Sequence, residues 1–415
     1  MWRSPMRPLT DRSDSLGSDA DTDQTGLRAT SATEHRSVVA QQPQWPDVQA
    51  VALVEDHLAG LAPLTAEHEV DALASGLALA SEGRALVLQA GDCAEQFVDA
   101  RRDLVRRKID HLDSLSASMR VSTDLPVVTI GRLAGQYGKP RSSSTEMTRS
   151  GELIASYRGD AVNSFEPNAD TRVPDHPMRL LTAYRCASSI LDEIRRSWSD
   201  RHPLERVYAS HEMLLMPYEC PLVRDGSRGM YAASTHFGWI GERTRGLSGA
   251  HLEFARSVTN PVGVKLGPNA TPEDAVAISR RLNPDGIAGR LTFIVRAGIG
   301  NVDDMLAPVV DAIAADGRPV VWLCDPMHGN GYVHDGFKTR AVTSIIGEVT
   351  AFTRVLQAAR QWPAGLHLES TPDSVTECVP RTDGPHSFTD YRSSCDPRLN
   401  AEQSAEVVAQ FLALL

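Results

Sequence analysis

No apolar run in the 415 residues approaches the roughly 18 needed to span a bilayer, and runs such as Met213 to Met216 are of core size. A membrane-spanning helix is therefore not expected. Cysteine is sparse: Cys93, Cys186, Cys220, Cys324, Cys378 and Cys395 lie far apart, with no C-x-x-C pair and no secretory apolar segment at the start. A disulfide framework is not expected, and a reducing cytoplasm is. Basic residues are in deficit, 42 against 53 acidic, for a net charge of −11. That sign works against broad attraction to nucleic acid or to an anionic membrane. Any anion must meet a local cluster of positive charge. No G-x-G-x-x-G follows the first strand-like segment, which counts against a dinucleotide fold. The H-x-H pair that a barrel metallohydrolase would carry there is missing too, and no repeat of solenoid period occurs.

With 41% apolar and 23% charged residues, the chain can bury a large core. Residues 1–40 are the exception: 16 are Ser, Thr or Asp, and Trp2 is the only aromatic. Such a stretch has too little apolar surface to offset the entropy of ordering, so a disordered tail is expected. Its acids, Asp11, Asp14, Asp19, Asp21, Asp23 and Glu34, argue against a plastid transit peptide. From Trp45 to Ala80 the apolar spacing (Val51, Val54, Leu58, Leu61; Val70, Leu73, Leu77) predicts two amphipathic helices. Residues 41–415 are expected to form one catalytic domain that includes them.

Eight short apolar runs follow, most ending in polar or glycine-rich residues before a helix-like stretch. They are Ala85 to Ala90, Pro126 to Ile130, Val207 to Ser210, Ala232 to Phe237, Pro261 to Val264, Leu291 to Val295, Pro319 to Leu323 and Gly365 to Leu368. Strands alternating with helices make a parallel sheet, and eight of them close naturally into a (β/α)₈ TIM barrel. An open doubly wound α/β sheet is the alternative.

Such barrels place their chemistry at the carboxyl ends of the strands. There stand Cys93, Arg132, Glu242 with Arg243, Lys265, Arg296, His328 and Glu369, with Asp396 in a last loop. Cys93, His328, Glu369 and Asp396 can coordinate a divalent metal of the Mn, Fe, Co or Zn type. Arg132, Arg243, Lys265 and Arg296 suit phosphate and carboxylate. Singly, each would be a buried thiol, a satisfied histidine or a surface ion pair. Their fall at the end of almost every strand is what points to one site. Cys186, Cys220, Cys378, His202, His251 and His386 show no such convergence and are taken as structural.

The segments QAGDCAEQF, GRLAGQYGKPRS, SYRGDAVN, YASHE, THFGWIGERTR, NPVGVKLGPN, GRLTFIVRAG, CDPMHGN, GFKTR, VTEC and CDPRLN run from about residue 90 to the C-terminal part of the chain. They closely resemble the class II 3-deoxy-D-arabino-heptulosonate 7-phosphate (DAHP) synthases. The resemblance implies a (β/α)₈ barrel, a divalent metal (Mn²⁺ or Co²⁺, with Zn²⁺ or Fe²⁺ as alternatives), and condensation of phosphoenolpyruvate with erythrose 4-phosphate. Carried over, the metal ligands are Cys93, His328, Glu369 and Asp396. The phosphoenolpyruvate site is Arg132, Glu242 (through its backbone), Arg243, Lys265 and Arg296. Lys139, Arg141 and Ser142 are placed to hold the sugar phosphate, and Lys265 and Glu212 are candidates for handling the water and the aldehyde proton. The resemblance also implies a homo-oligomer, dimer or tetramer, and a chorismate mutase as partner. Three departures stand out: Gly238 before Trp239, Ser370 after Glu369, and only 44 residues between Asn163 and Tyr208. The last is too short for the extra helical pair of feedback-regulated members, so freedom from feedback and service to a specialised product are expected. A catalytically silent homologue is the alternative, but it should lack a ligand. Cys93 and Cys395 are expected to lie close enough to form an inactivating disulfide.

Overall fold

The computed structural model describes residues 39–415 except Arg149, Asp175 and Ser394. The tail expected over residues 1–40 lies almost wholly outside the described residues. Two helices come first, α1 (Val48–Ala59) and α2 (Glu67–Ser81), as the apolar spacing predicts. Eight parallel strands then close in sequence order: β1 (Leu86–Gly91), β2 (Val127–Arg132), β3 (Val207–Glu212), β4 (Phe237–Ile240), β5 (Val262–Leu266), β6 (Leu291–Val295), β7 (Val321–Cys324) and β8 (Pro363–Glu369), the last pairing with the first. Outer helices are α3 (Arg102–Thr123), α4 (Met178–Ser197), α5 (Ala250–Ser257), α6 (Pro272–Leu282), α7 (Val302–Asp316), α8 (Val342–Ala358) and α9 (Ala401–Leu412). Among the described residues no helix is long and apolar enough to cross a membrane.

Strand composition explains the closure. Residues of β4, β5, β6 and β7 are buried throughout, as a parallel strand with the barrel on one side and helices on the other must be. Val87, Val128, Ile130, Phe237, Trp239, Ile294, Val321 and Leu323 fill the interior. Leu73, Leu77 and Ala80 of α2 join that cluster, so α2 packs against the barrel interior itself. Its Gly76 sits so close that a Cβ would lie 2.9 Å from Val128 Cγ2.

Seven strands fall within two residues or so of the expected runs. The fourth does not: the run Ala232 to Phe237 was expected, and β4 begins only at Phe237. Gly229–Ala232 instead pairs with Val223–Gly226 in an antiparallel hairpin, and Asn260 clamps Ala232, accepting from its N–H (2.7 Å) and donating to its carbonyl (3.0 Å). Thr235 Oγ1 donates to Ala209 O (3.0 Å), and His236 Nδ1 accepts from the Ala209 N–H (3.0 Å). These polar contacts turn the chain into the barrel before β4 can start.

Candidate active site

Arg132, Glu212 and Glu369 are the terminal residues of β2, β3 and β8, and Lys265 is one residue short of the end of β5. All four are therefore delivered to the same rim. Cys93, Glu369 and Asp396 each bring one ligand atom to within 4.8 Å of the others. His328 Nε2 lies 3.0 Å from Glu369 Oε1. Its other nitrogen, Nδ1, faces the Asp325 carboxylate at 2.8 Å, the arrangement that orients a metal-binding imidazole with Nε2 outward. One thiol, one imidazole and two carboxylates at these separations fit a single first-row divalent ion held at about 2.0–2.3 Å.

Cations surround this group. Lys139 Nζ is 2.9 Å from Cys93 Sγ, 3.6 Å from Asp396 and 3.8 Å from Glu369. Burial would lower Lys139, but Cys93, Glu369 and Asp396 outweigh it and hold the ammonium protonated. Burial would raise Glu369, yet His328, Arg340 and Lys139 keep its carboxylate well below the ordinary value. Arg340 Nη1 takes the second oxygen of Glu369 at 2.9 Å. Burial, the Cys395 side chain and Glu369 push the Cys93 thiol up, and Cys395 hydrogen-bonds it.

Arg132 is held on every side. Nε donates to Asp92 O (2.9 Å), Nη2 to Cys93 O (3.3 Å) and Glu369 Oε1 (3.2 Å), and Nη1 meets His367 Nε2 at 2.6 Å. A guanidinium only donates, so His367 Nε2 accepts and its proton sits on Nδ1, which donates to Gln89 Oε1 at 2.7 Å. Gln89 Nε2 passes the chain to Ser210 Oγ (3.1 Å), whose hydroxyl donates to Gly131 O (2.9 Å). Burial and the nearby Lys265 keep His367 well below the ordinary imidazole range, in agreement with that tautomer. Trp239 lies beneath: its ring is 5.0 Å from the Arg132 guanidinium carbon and 5.9 Å from Lys265 Nζ, a π-face that stabilises two neighbouring cations.

Lys265 Nζ bonds Asp325 Oδ2 at 2.9 Å. Arg296 Nη2 donates to His328 O at 2.5 Å. The Glu242 side chain turns to the Gly267 N–H (2.6 Å) and to Arg245 (3.0 Å), which leaves its backbone for the rim. Arg243 Nη2 donates to Ser142 Oγ at 2.7 Å, joining two of the residues expected near the substrates. Arg141 stands apart, its guanidinium on Glu146 at 2.5 Å, which also takes Arg172. Lys139 sits among the metal-ligand candidates. Glu212 is half-buried, its buried Oε1 without a protein hydrogen-bond partner, and desolvation raises its carboxyl against the pull of Lys265 and Lys139.

The sequence reading missed Asp325, Arg340, His367 and Trp239 as members of the site. Two carried a signal: Asp325 stands three residues before His328, and His367 two before Glu369, hence on the same face of β8.

Comparisons with known proteins give the family of the chain. The chain matches the class II DAHP synthetase family over residues 29–204 and 198–413. It is 38% identical to "Phospho-2-dehydro-3-deoxyheptonate aldolase" of Streptomyces coelicolor, an alignment covering 89% of this chain and 93% of the relative. It is 40% identical to "Probable phospho-2-dehydro-3-deoxyheptonate aldolase" of Pseudomonas fluorescens, covering 90% and 94%. It is 37% identical to "Phospho-2-dehydro-3-deoxyheptonate aldolase AroG" of Mycolicibacterium smegmatis, covering 88% and 90%. In fold it resembles the solved phospho-2-dehydro-3-deoxyheptonate aldolase of Francisella tularensis, with a TM-score of 0.50 at 14% identity over 88% of this chain and 95% of that one. With the family matched over nearly the whole described chain, and relatives near 40% identity matched over nine-tenths of their own length, this chain belongs to the class II DAHP synthetase family.

Proposed function

We propose that the protein is a DAHP synthase that condenses phosphoenolpyruvate with erythrose 4-phosphate and water, giving DAHP and phosphate. The observation that carries this reading is the meeting, at one barrel rim, of a four-donor group able to hold a metal with Arg132, Lys265 and Arg296. Cys93, His328, Glu369 and Asp396 would hold the divalent ion. Such an ion, Mn²⁺ or Co²⁺ in this reading, supplies Lewis-acid polarisation of a carbonyl oxygen.

The chain's own residues do the rest. Two phosphates and a carboxylate must approach one another, and Arg132, Lys265 and Arg296, fixed by protein contacts in advance, offset their repulsion in a low-dielectric cavity, with Arg243 adding its charge from an exposed position. The same contacts align carbon 3 of the enol phosphate with the aldehyde carbon, which removes much of the entropic barrier. Lys139 and Ser142 would hold the sugar phosphate, and Arg141 would join them by leaving the Glu146 carboxylate it pairs with. Water adds at carbon 2 and phosphate leaves. Glu212, raised by burial, is the group we assign to proton transfer there, with Lys265 as the neighbouring donor.

The connection between β2 and β3 contains, among the described residues, α4, one four-residue helical turn, one three-residue 3-10 turn and a short hairpin. We read this as freedom from feedback, suited to a specialised product. A homo-oligomer and a chorismate mutase partner rest on the family resemblance.

The test is removal of the metal by chelation, and His328→Ala. Both should reduce condensation at least a hundredfold, with fold and melting temperature little changed for the variant. A metal-stripped protein working at the native rate would refute the mechanism.

A further inference from the structure

Glu348, on α8, is fully buried on the outer side of the barrel and among the described residues has no ion-pair partner. A buried carboxylate without a cation is costly unless donors are aimed at it. Here Oε1 accepts from the Gly298 N–H at 2.8 Å and Oε2 from Asn330 Nδ2 at 2.6 Å. Asn330 continues the stitch: Nδ2 also donates to Pro326 O (2.8 Å), and Oδ1 accepts from the Ile299 N–H (3.1 Å). Glu348 thus fastens the loop after β6, residues 296–300, to the loop after β7, residues 325–330.

The two loops are already backbone against backbone. Gly298, at φ +84°, would place a Cβ 2.7 Å from Gly329 O, and a Cβ on Gly329 would lie 2.3 Å from Gly298 N. No side chain fits between them. Arg296 stands two residues before the stitched Gly298 and His328 two before the stitched Asn330, and Arg296 itself donates to His328 O.

We infer that Glu348 and Asn330 are positioning residues, which from behind the loops set the separation between the Arg296 guanidinium and the His328 imidazole. This rests on the reading of Arg296 as a phosphoenolpyruvate contact and of His328 as a metal ligand. The two groups sit on separate strands' loops that meet directly only at Gly298 and Gly329 and through Arg296 itself, so the Glu348–Asn330 stitch adds the side-chain support behind them, and a displacement of about 1 Å in a catalytic constellation can cost up to a hundredfold. Burial pushes the Glu348 carboxyl up to about 7 and the donors from Gly298 and Asn330 pull the other way; the group suits the task because the oxygen facing each of them accepts. Glutamine would turn an amide N–H₂ toward a backbone N–H or toward the Asn330 amide, donor against donor.

The experiment compares Glu348→Gln, Asn330→Ser and the polarity swap Glu348→Gln/Asn330→Asp with the unaltered full chain. The readouts are KM for each substrate, kcat, melting temperature, and Mn²⁺ affinity of the metal-stripped protein by calorimetry. Each single variant should raise KM for phosphoenolpyruvate about tenfold and weaken Mn²⁺ about tenfold, with KM for erythrose 4-phosphate changed less than threefold. The swap rebuilds one donor–acceptor pair, the introduced amide at position 348 donating to the introduced carboxylate at position 330, and should recover part of the loss, because the carboxylate can no longer donate to Pro326 O. Lowered melting temperature with unchanged KM and unchanged Mn²⁺ affinity would make Glu348 merely structural and overturn the inference. If Glu348→Gln does not fold, Asn330→Ser carries the same expectation. Arg296→Ala separates the two levels. Should it leave KM for phosphoenolpyruvate unchanged, the substrate reading fails, and Mn²⁺ affinity in the Glu348 and Asn330 variants alone decides the positioning role.

Discussion

His367→Leu asks how much of Arg132's placement comes from the polar row inside the barrel. Leucine has nearly the volume of histidine, so packing is largely conserved, but two buried groups lose their partners: an Arg132 Nη1–H and Gln89 Oε1. An orphaned buried donor or acceptor costs about 1–3 kcal/mol, more if charged. The Gln89 amide can rotate and recover part of its loss, so the expected destabilisation is about 3 kcal/mol. Arg132 keeps its bonds to Asp92 O, Cys93 O and Glu369, and so stays in the site while losing its fixed direction. KM for phosphoenolpyruvate should rise about tenfold, with kcat falling less. Urea unfolding gives the first number and initial rates the second. Gln89→Leu/His367→Leu then serves as a cycle: with both members gone, the double variant should cost less than the sum of the singles by about 1–2 kcal/mol. A loss under about 0.5 kcal/mol with normal kinetics in His367→Leu would show that the row does not hold Arg132.

Three shorter expectations follow from other contacts. Diamide should inactivate the enzyme by taking two electrons and two protons from Cys93 and Cys395, thiol should restore it, and Cys395→Ser should resist; equal inactivation of that variant would exclude the pair. Phenylalanine, tyrosine and tryptophan, singly and in pairs at millimolar concentration, should change initial rates less than about fivefold, which corresponds to roughly 1 kcal/mol of coupling; a larger loss would reveal an effector site. Burial would raise Glu69, but Arg195 at 2.7 Å and His236 outweigh it and depress its carboxyl. A depressed carboxylate stabilises the fold above its ordinary value near 4.5 and loses that contribution as pH falls below it. Glu69→Gln should therefore cost about 1–2 kcal/mol at pH 7, less below pH 4, with the lower end favoured because Arg195 is 34% exposed; thermal melts from pH 7 to pH 3 check it.

The rim of the site was legible because it depends on one variable. A side chain at the last inward position of a parallel strand reaches the rim whatever its neighbours are, so Arg132, Lys265 and Glu369 could be found from apolar runs alone. The supporting partners depend on register, which those runs leave open. His367 meets Arg132 across β1, the strand between theirs, through a spacing that only the closed barrel sets. Arg340 reaches Glu369 from the end of a short regular hairpin, 331–340, outside the barrel strands, and apolar runs do not show that this hairpin folds back over the rim. The error at the fourth strand has a similar source: Ala232 to Phe237 has the composition of a strand, but Asn260, distant in sequence, claims the backbone of Ala232.

The packing of α2 into the barrel interior has a consequence for how the chain is made. Residues 67–81 leave the ribosome ahead of every strand they pack against, and Ala364, in the same cluster, comes almost three hundred residues later. At 5–20 residues per second, roughly 15 to 60 s separate the two. Throughout that interval Leu73, Leu77 and Ala80 present an apolar stripe with its partners unmade. A circular permutant opened between β8 and α9, with the original ends joined, would synthesise α2 and the strands in the same order and keep that exposure. One opened between α2 and β1 would deliver α2 last, onto a finished barrel, and should aggregate less during synthesis while reaching the same native state.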